Sequence, residues 1–225
     1  MNLSRLRRFF WVRRERWTMT WKARLLVIVL VIATASFGVR HLYTFLAVDS
    51  PVQADYLVVE GWMPRIAYRE AAAAFRSGHY KKIIAAGVLH DDGDFGDERD
   101  WNFGDGKLRG YGVPDDAIVT ASSSVVHRDR TYHAAMAVRD WLRKEGVGAT
   151  SINVVTLGPH ARRSRLLYQM ALGDDVNVGV ISIRDWRIEP DAWWRTSEGA
   201  RSVLTEAIGY VYARVFFSPE RADAP

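Results

Sequence analysis

The sequence has 225 residues, of which 48% are hydrophobic and 25% are charged. These fractions are ordinary for a folded protein and exclude disordered, collagen-like and disulfide-scaffold classes. Cysteine is absent, which excludes thiolate metal sites and thiol nucleophiles and fits either a reducing or an oxidising compartment. Residues 1–24 hold eight arginines and lysines and one glutamate, a net charge of +7, so the rest of the chain carries −2 of the total +5. The positive charge belongs to the N-terminal tail, and no nucleic acid partner is expected.

The segment after this tail predicts a membrane anchor. Residues 25–39 (LLVIVLVIATASFGV) carry no charge, and apolar residues continue beyond them. Because roughly 20 apolar residues are needed to cross the hydrocarbon core, we expect a transmembrane helix over residues 25–48 in which Arg40 reaches out to the head groups. Trp21 and Tyr43 suit the two membrane interfaces.

The charge distribution predicts the orientation of this anchor. The basic residues 1–24 precede the helix, so the positive-inside rule predicts a cytoplasmic tail, a single membrane pass and a periplasmic or extracellular domain. Ala33-Thr34-Ala35 matches a cleavage site, which leaves a cleaved signal peptide as the main alternative. A third reading, an amphipathic helix lying on the cytoplasmic surface, does not account for the uncharged run.

After a polar tether at residues 49–55, short β-rich apolar runs alternate with helical patterns up to residue 217. Residues 218–225 are expected to form a disordered tail. The predicted strands cover residues 56–60, 82–86, 117–120, 153–157 and 176–183. The predicted helices cover residues 66–77, 129–145, 159–172 and 191–217, with a weaker one at 106–111. This alternation predicts an α/β Rossmann-like three-layer sandwich with a mainly parallel five-stranded sheet.

Ligands of such sheets bind beyond the carboxyl ends of the strands, and Glu60, Gly61 and Gly87 lie at two of these ends. An unpaired carboxylate at the end of a buried strand is costly, so Glu60 is expected either to pair with Arg163 or Arg128 or to act as a general base or metal ligand. No strong metal motif is present; Asp92-x-Asp94 hints at calcium but does not fit the EF-hand spacing. No G-x-G-x-x-G or G-x-x-x-x-G-K occurs, so no dinucleotide or P-loop nucleotide is expected and the sequence identifies no cofactor.

The segment VVTLGPHARRSRLLYQMAL reads as a strand, a Gly-Pro turn and a helix. At ~100° per residue, the apolar stripe of this helix is centred near Arg163, and His160 lies roughly 50° away. Free backbone N–H groups and the helix dipole favour an anion at this first turn, so a phosphate or carboxylate is the expected guest. A buried structural ion pair is the alternative role for Arg163.

The segment SSVVHRDRTYHAAMAVRDWL repeats this construction. Asp129 is expected to be the N-cap, Thr131 heads the apolar stripe, and Arg128 lies within about 50° of it. The hydroxyl of Thr131 and the guanidinium of Arg128 are expected to share with His160 the crevice beyond the carboxyl ends of the strands. The alternative is that Thr131 only caps the helix.

The aromatic C-terminal segment predicts a long helix that is mostly core. The residues expected to pack on the sheet are Val203, Leu204, Ile208, Val211 and Val215. Glu206 and Ser197 are polar exceptions that can point inward or to solvent. Contact of Phe216 and Phe217 with the membrane or a partner is the alternative.

Four segments together resemble the SanA/ElyC/YdcF family of bacterial proteins. They are VVEGW after the tether, the AAG end of the second strand, the helix opened by Thr131, and VVTLGPHARRS; the match covers about residues 55–173. Its most specific part is a strand with Thr156 followed by His160 and Arg163, where the family has a strand ending in Thr-Ser and then a histidine with nearby arginines.

The resemblance implies a Rossmann-like fold, often behind one transmembrane helix, and a role in envelope biogenesis and barrier integrity. It implies no established reaction. Residues 60–62 (Glu-Gly-Trp) depart from the family, because many members look like Leu-Gly-Gly there, so a subgroup with its own substrate fits this sequence.

Together with the resemblance, these features predict an envelope factor anchored by a single pass in the bacterial inner membrane. It is expected to bind a phosphate-bearing or otherwise anionic ligand, such as a lipid-linked cell-wall or polysaccharide intermediate. The residues expected to bind the ligand are Gly61, Gly87, Arg128, Thr131, Thr156 and Arg163. If the protein hydrolyses or transfers this ligand, Glu60 or His160 is expected to handle the proton. The alternative is a non-catalytic envelope module in which the same residues form a buried ion network.

Overall fold

A computed structural model of the protein describes residues 18–88, 104–124, 128–146, 148 and 151–219. The chain divides into two compact units, Met1–Val39 and Arg40–Pro225. Most of the predicted basic tail, the acidic loop that holds Asp92 and Asp94, and nearly all of the predicted C-terminal tail lie outside the described residues.

The first described helix, α1, spans Trp21–Leu46. Its 26 residues are long and apolar enough to cross a membrane, which agrees with the prediction of one apolar spanning helix. The side chains near its carboxyl end do not fit the prediction. Tyr43 and Leu46 are buried in a protein cluster with Ile188, Trp193 and Val203, so Tyr43 does not take the membrane-interface role expected of it. The last turn of α1 is part of the folded domain.

The domain alternates strands with helices. Its strands are β1 Tyr56–Glu60, β2 Lys82–Val88, β3 Ile118–Ser123, β4 Ser151–Leu157 and β5 Asn177–Ile183. Its helices are α2 Arg65–Ser77, α3 Asp105–Gly110, α4 Arg130–Lys144, α5 Ala161–Leu172 and α6 Ser197–Val215. Short 3-10 turns occupy Asp115–Ala117, Gly158–His160 and Pro190–Arg195.

The five strands form one parallel sheet in the order β3-β2-β1-β4-β5. Side chains alternate between the two faces of each strand, so each face carries its own core. On one face Val58 and Ile84 pack with residues of α4 and α5, and on the other Leu57 and Val59 pack with residues of α2 and α3. The predicted three-layer α/β sandwich is confirmed.

The C-terminal helix departs from its predicted packing. Helix α6 packs against α5 and the 3-10 turns instead of lying on the sheet. Of the residues expected to be core, Val203 alone is buried, whereas Leu204, Ile208, Val211 and Val215 are exposed. The apolar pattern identified a helix correctly, but the core lies on the opposite side of it.

The segment predicted as a tether is fastened to the sheet. Ser50 forms an antiparallel bridge with Val180 on β5. The side chain of Asn153, buried in β4, accepts a hydrogen bond from Val52 N (2.9 Å) and donates one to Val52 O (2.7 Å). Ser151 Oγ donates to the carbonyl of Gln53. Residues 49–55 therefore run along the β4–β5 side of the domain under several hydrogen bonds.

Candidate functional site

Glu60 is the last residue of the central strand β1 and is buried. The register Val59↔Val155 between β1 and β4 places Glu60 beside Thr156, and both side chains point to the face covered by α5. Thr156 Oγ1 donates a hydrogen bond to Glu60 Oε2. Ser164 Oγ, one turn into α5, donates to Oε1 at 2.9 Å. The strand alternation and the position of α5 thus surround this carboxylate with hydroxyl donors.

His160 is the charged neighbour of Glu60. It ends the 3-10 turn after β4, which begins at Gly158 with a φ of 47°, in the left-handed region that glycine adopts without strain. His160 Nε2 lies 3.6 Å from Glu60 Oε2, an ion-pair distance. The indole of Trp62 packs edge-on against the imidazole, with ring centres 4.9 Å apart, and its Nε1 donates to Glu60 Oε2 at 3.2 Å.

The other imidazole nitrogen faces a second carboxylate, which comes from α6. His160 Nδ1 lies 3.0 Å from Glu206 Oε1. Arg163 donates to the same carboxylate through Nε (2.8 Å) and Nη2 (3.1 Å), a bidentate pairing. Gly209 makes room for it, because a Cβ there would lie 3.0 Å from Arg163 Nε. The imidazole therefore stands between two carboxylates.

Proton affinities in this cluster follow from burial and charge. Burial lowers the pKa of His160, but the negative charge of Glu60 and the hydrogen bond to Glu206 outweigh it and raise that pKa to about 9. Burial raises the pKa of Glu206, but hydrogen bonds from His160 and Arg163 bring it down to about 2. Burial also raises the pKa of Glu60, but the positive imidazolium and the hydroxyl donors outweigh it and hold this pKa below its ordinary value. At neutral pH the cluster is an imidazolium between two carboxylates.

A cleft opens beside this cluster at the carboxyl ends of β1 and β2. Its volume of about 60 Å³ holds several water molecules or one small polar group. Glu60 forms part of its wall, and the first turn of α4 closes it from the side of the helix. The full lining is Glu60, Gly61, Trp62, Ala86, Gly87, Val88, Arg130, Thr131 and Ala134.

The predicted site residues divide between the cluster and the cleft. Glu60, Thr156 and His160 come together in the buried cluster. Gly61, Gly87 and Thr131 line the cleft with Glu60. Gly61 is also a packing residue, since its N–H donates to Ala86 O at 2.7 Å and a Cβ would approach that oxygen to 3.0 Å.

Two arginines depart from their expected places. Arg163 pairs with Glu206 and not with Glu60, which is the structural ion pair weighed as its alternative role. Arg128 is exposed, and among the described residues it is Arg130 that lines the cleft. Asp129 does occupy the N-cap position of α4, but with a left-handed φ of 50° and without a side-chain capping bond. Arg130 and Thr131 follow this turn and line the cleft, whereas Arg128 precedes it.

Three participants had no role assigned from the sequence. Ser164 follows His160 by one helical turn, a spacing that puts both on one face of α5. Glu206 had been left open between an inward and an outward orientation, and it points inward. Trp62 donates to Glu60, lines the cleft and packs against His160. The spacing of Ser164 was the available signal, whereas the inward turn of Glu206 depends on how α6 packs.

Two buried polar atoms have no hydrogen-bond partner within the described part of the chain: His160 Nε2 and Tyr168 Oη. Tyr168 follows Ser164 by one turn on the same helix, and burial raises its pKa well above the ordinary value. Within that part of the chain, no group of three acidic or histidine side chains is placed to hold a metal ion.

Comparison with known proteins finds no matching family model and no matching curated protein. Among solved structures, the chain has a TM-score of 0.28 to a mutant form of an enoyl thioester reductase from Candida tropicalis, with 12% sequence identity. The similarity covers 80% of this chain and 50% of the reductase, so this protein spans about half its length.

Proposed function

We propose that this protein is a membrane-anchored factor of the bacterial cell envelope that binds the phosphate or another anionic group of a lipid-linked envelope intermediate. The observation that carries the proposal is the cleft between the strand ends and the first turn of α4. The positive dipole end of a 15-residue helix favours an anion there, and Arg130 and Thr131 add a cation and a hydroxyl to the wall.

The buried cluster supports binding more than proton transfer. A general base near neutral pH needs a pKa near that pH, yet the pKa of Glu60 is lowered and that of His160 is raised to about 9. The imidazolium also neutralises Glu60, so this carboxylate does not repel an anion in the adjoining cleft. In this proposal Glu60 and His160 shape the site and set its charge.

The envelope location is supported by α1 and by the resemblance to the SanA/ElyC/YdcF family. The apolar helix is suited to hold the domain at a membrane, where lipid-linked intermediates are concentrated. The basic tail before it favours a periplasmic or extracellular domain.

The binding proposal is tested with the full chain in detergent, by titration calorimetry with inorganic phosphate and with a short polyprenyl phosphate. Thr131→Val and Arg130→Ala are each expected to weaken the affinity roughly tenfold or more, the effect of losing one charge-assisted or hydroxyl contact. Arg143→Ala, an exposed arginine of the same helix, is the matched control and is expected to bind as the wild type does. Absence of binding by the wild type, or equal affinity in all variants, contradicts the proposal.

A second candidate function is a non-catalytic interaction module of the envelope. The observation that favours it is the network in which Glu206 pairs with both His160 and Arg163 inside the domain. If neither phosphate probe binds while His160→Gln and Glu206→Gln lower the melting temperature, this second function is the better account.

A further inference from the structure

Helix α6 exposes a continuous apolar stripe. Ile208, the most exposed of its residues, has 72% of its surface accessible. The spacing of the members, at steps of three and four, places them on one side of the helix. The stripe consists of Leu204, Ile208, Val211, Tyr212, Val215 and Phe216.

The opposite side of the same helix is also occupied by the protein. Val203 and Ala213 are buried, and Glu206 reaches inward to His160. The helix is therefore apolar on its outer side as well as its inner side, which is typical of helices covered on both sides. Contiguous apolar patches larger than a few hundred Å² are rare on soluble monomers and mark contact surfaces.

The neighbour of this helix indicates what covers the stripe. The last turns of α1 pack on α6: Leu46 shares a buried cluster with Val203, and the rings of Phe45 and Tyr210 lie 5.6 Å apart, edge to face. Phe45 follows the uncharged run by six residues of the same helix, about 9 Å along the helix axis at ~1.5 Å per residue. The end of α1 that follows the apolar run, Phe45 and Leu46, is thus packed on the helix that carries the stripe.

Exposed aromatic and basic side chains within α6 and in the segment before it are of the types found at lipid interfaces. Tyr212 within it, and Trp186 and Trp194 in the segment before α6, are exposed aromatic side chains of the kind enriched at membrane–water boundaries. Arg201 and Arg214 are exposed on α6 and have stems long enough to extend to head groups.

We propose that the α6 stripe is a membrane-docking surface that inserts into the head-group and acyl boundary of the bilayer holding α1. Part of the domain then rests on the lipid surface, with α6 lying in the interface plane. This inference depends on the anchoring role proposed for α1, but not on the ligand proposed for the cleft.

Site-directed spin labelling tests whether the stripe contacts lipid. The chain has no cysteine, so each introduced cysteine carries the single label. The full chain is reconstituted in vesicles of phosphatidylethanolamine and phosphatidylglycerol with one label at Ile208→Cys, Ile28→Cys or Glu70→Cys. Ile208 reports the stripe, Ile28 the anchor, and Glu70 an exposed position of α2. Accessibility to oxygen, which concentrates in lipid, is compared with accessibility to a water-soluble nickel chelate.

Labels at Ile208 and Ile28 are expected to favour oxygen severalfold over the nickel chelate, and the label at Glu70 to favour the chelate. If Ile28 reports lipid and Ile208 reports water, the docking surface is wrong while the anchor stands. If Ile28 itself reports water, the anchoring role fails separately. Spin–spin broadening at Ile208 that disappears on dilution with unlabelled chain, without oxygen preference, would assign the stripe to a second copy and overturn the proposal.

Discussion

His160 is the residue on which the candidate site depends. Its ring lies between Glu60 and Glu206, and it carries a proton at neutral pH because both carboxylates favour the imidazolium. A buried ion pair adds little net stability when it replaces an apolar pair, but removing one partner leaves an uncompensated buried charge. The site therefore tolerates loss of His160 or either carboxylate poorly.

The raised pKa of His160 predicts a specific pH dependence of stability. The folded pKa of about 9 lies above the ordinary 6.5, so the stabilisation is fully present below about pH 6.5 and is lost as pH rises through about 9. Over this window the free energy of unfolding is expected to fall by on the order of 3 kcal/mol. Denaturant unfolding of the full chain in detergent at pH 6 and pH 9.5 measures it.

The matched variant for this measurement is His160→Gln, which keeps a polar side chain but does not titrate. Its unfolding free energy is expected to lose most of the change between the two pH values. Glu206 does not contribute within this window, because its lowered pKa of about 2 makes its stabilisation disappear only in acid. An equal pH dependence in the wild type and the variant would contradict the assigned protonation of His160.

At the scale of elements, β4 binds the chain that enters the domain. The amide of Asn153 occupies both backbone groups of Val52, as a neighbouring strand would, and its Nδ2 also donates to Tyr80 Oη at 2.9 Å. The connection to α1 is therefore a bound segment in which a buried side chain replaces a strand partner.

Asn153→Leu keeps the size of this side chain but leaves the N–H and C=O of Val52 without partners. Each unsatisfied group costs about 1–3 kcal/mol, so the unfolding free energy is expected to fall by roughly 2–4 kcal/mol. Ser151→Ala, which removes one partly exposed hydrogen bond to the same segment, is the control and is expected to cost about 1 kcal/mol or less. Thermal or denaturant unfolding distinguishes the two, and equal effects would contradict the role given to Asn153.

The elements themselves were predictable from the sequence because periodicity and turn residues report local structure. The strand 56–60 was predicted at its observed bounds, and the other strands and most helices within three residues; the last helix was predicted from residue 191 but begins at Ser197, after the 3-10 turn Pro190–Arg195. The direction in which a side chain points was harder to predict. Ser164 and Tyr168 are fully buried in α5, but a hydropathy pattern counts hydroxyls as polar and so shifted the apparent centre of the stripe toward Arg163.

The packing of α6 could not be predicted for a related reason. A helix that is apolar on several sides gives no contrast from which to select its inner face. Val203 and Ile208 are equally suitable core residues by sequence, yet one is buried and the other is exposed. The pairing of Arg163 was unpredictable for the same reason, since Glu206 reaches Arg163 only because the side of α6 that carries Glu206 faces inward.

At the scale of the whole molecule, the basic tail and the apolar helix predict one orientation. Fusion of a phosphatase reporter after Pro225, active only outside the cytoplasm, is expected to give high activity. Changing the basic residues of the tail to glutamine is expected to reduce this activity severalfold, because the charge bias that holds the N-terminus inside is lost. A fusion active only as a cytoplasmic reporter would reverse the proposed orientation.

The order of the strands also determines when the site is completed. Strand β1 pairs with β2 soon after it in the chain, but its other neighbour, β4, follows much later. Thr156 follows Glu60 by 96 residues in the chain, and Ser164 follows it by 104. His160, which supplies the counter-charge, also lies far after Glu60 in the chain, so the ionic centre depends on contacts of high sequence separation, which form slowly. Pairing of β1 with β4 is the long-range contact that brings Glu60 and Thr156 together, and we expect it to limit how fast the site forms.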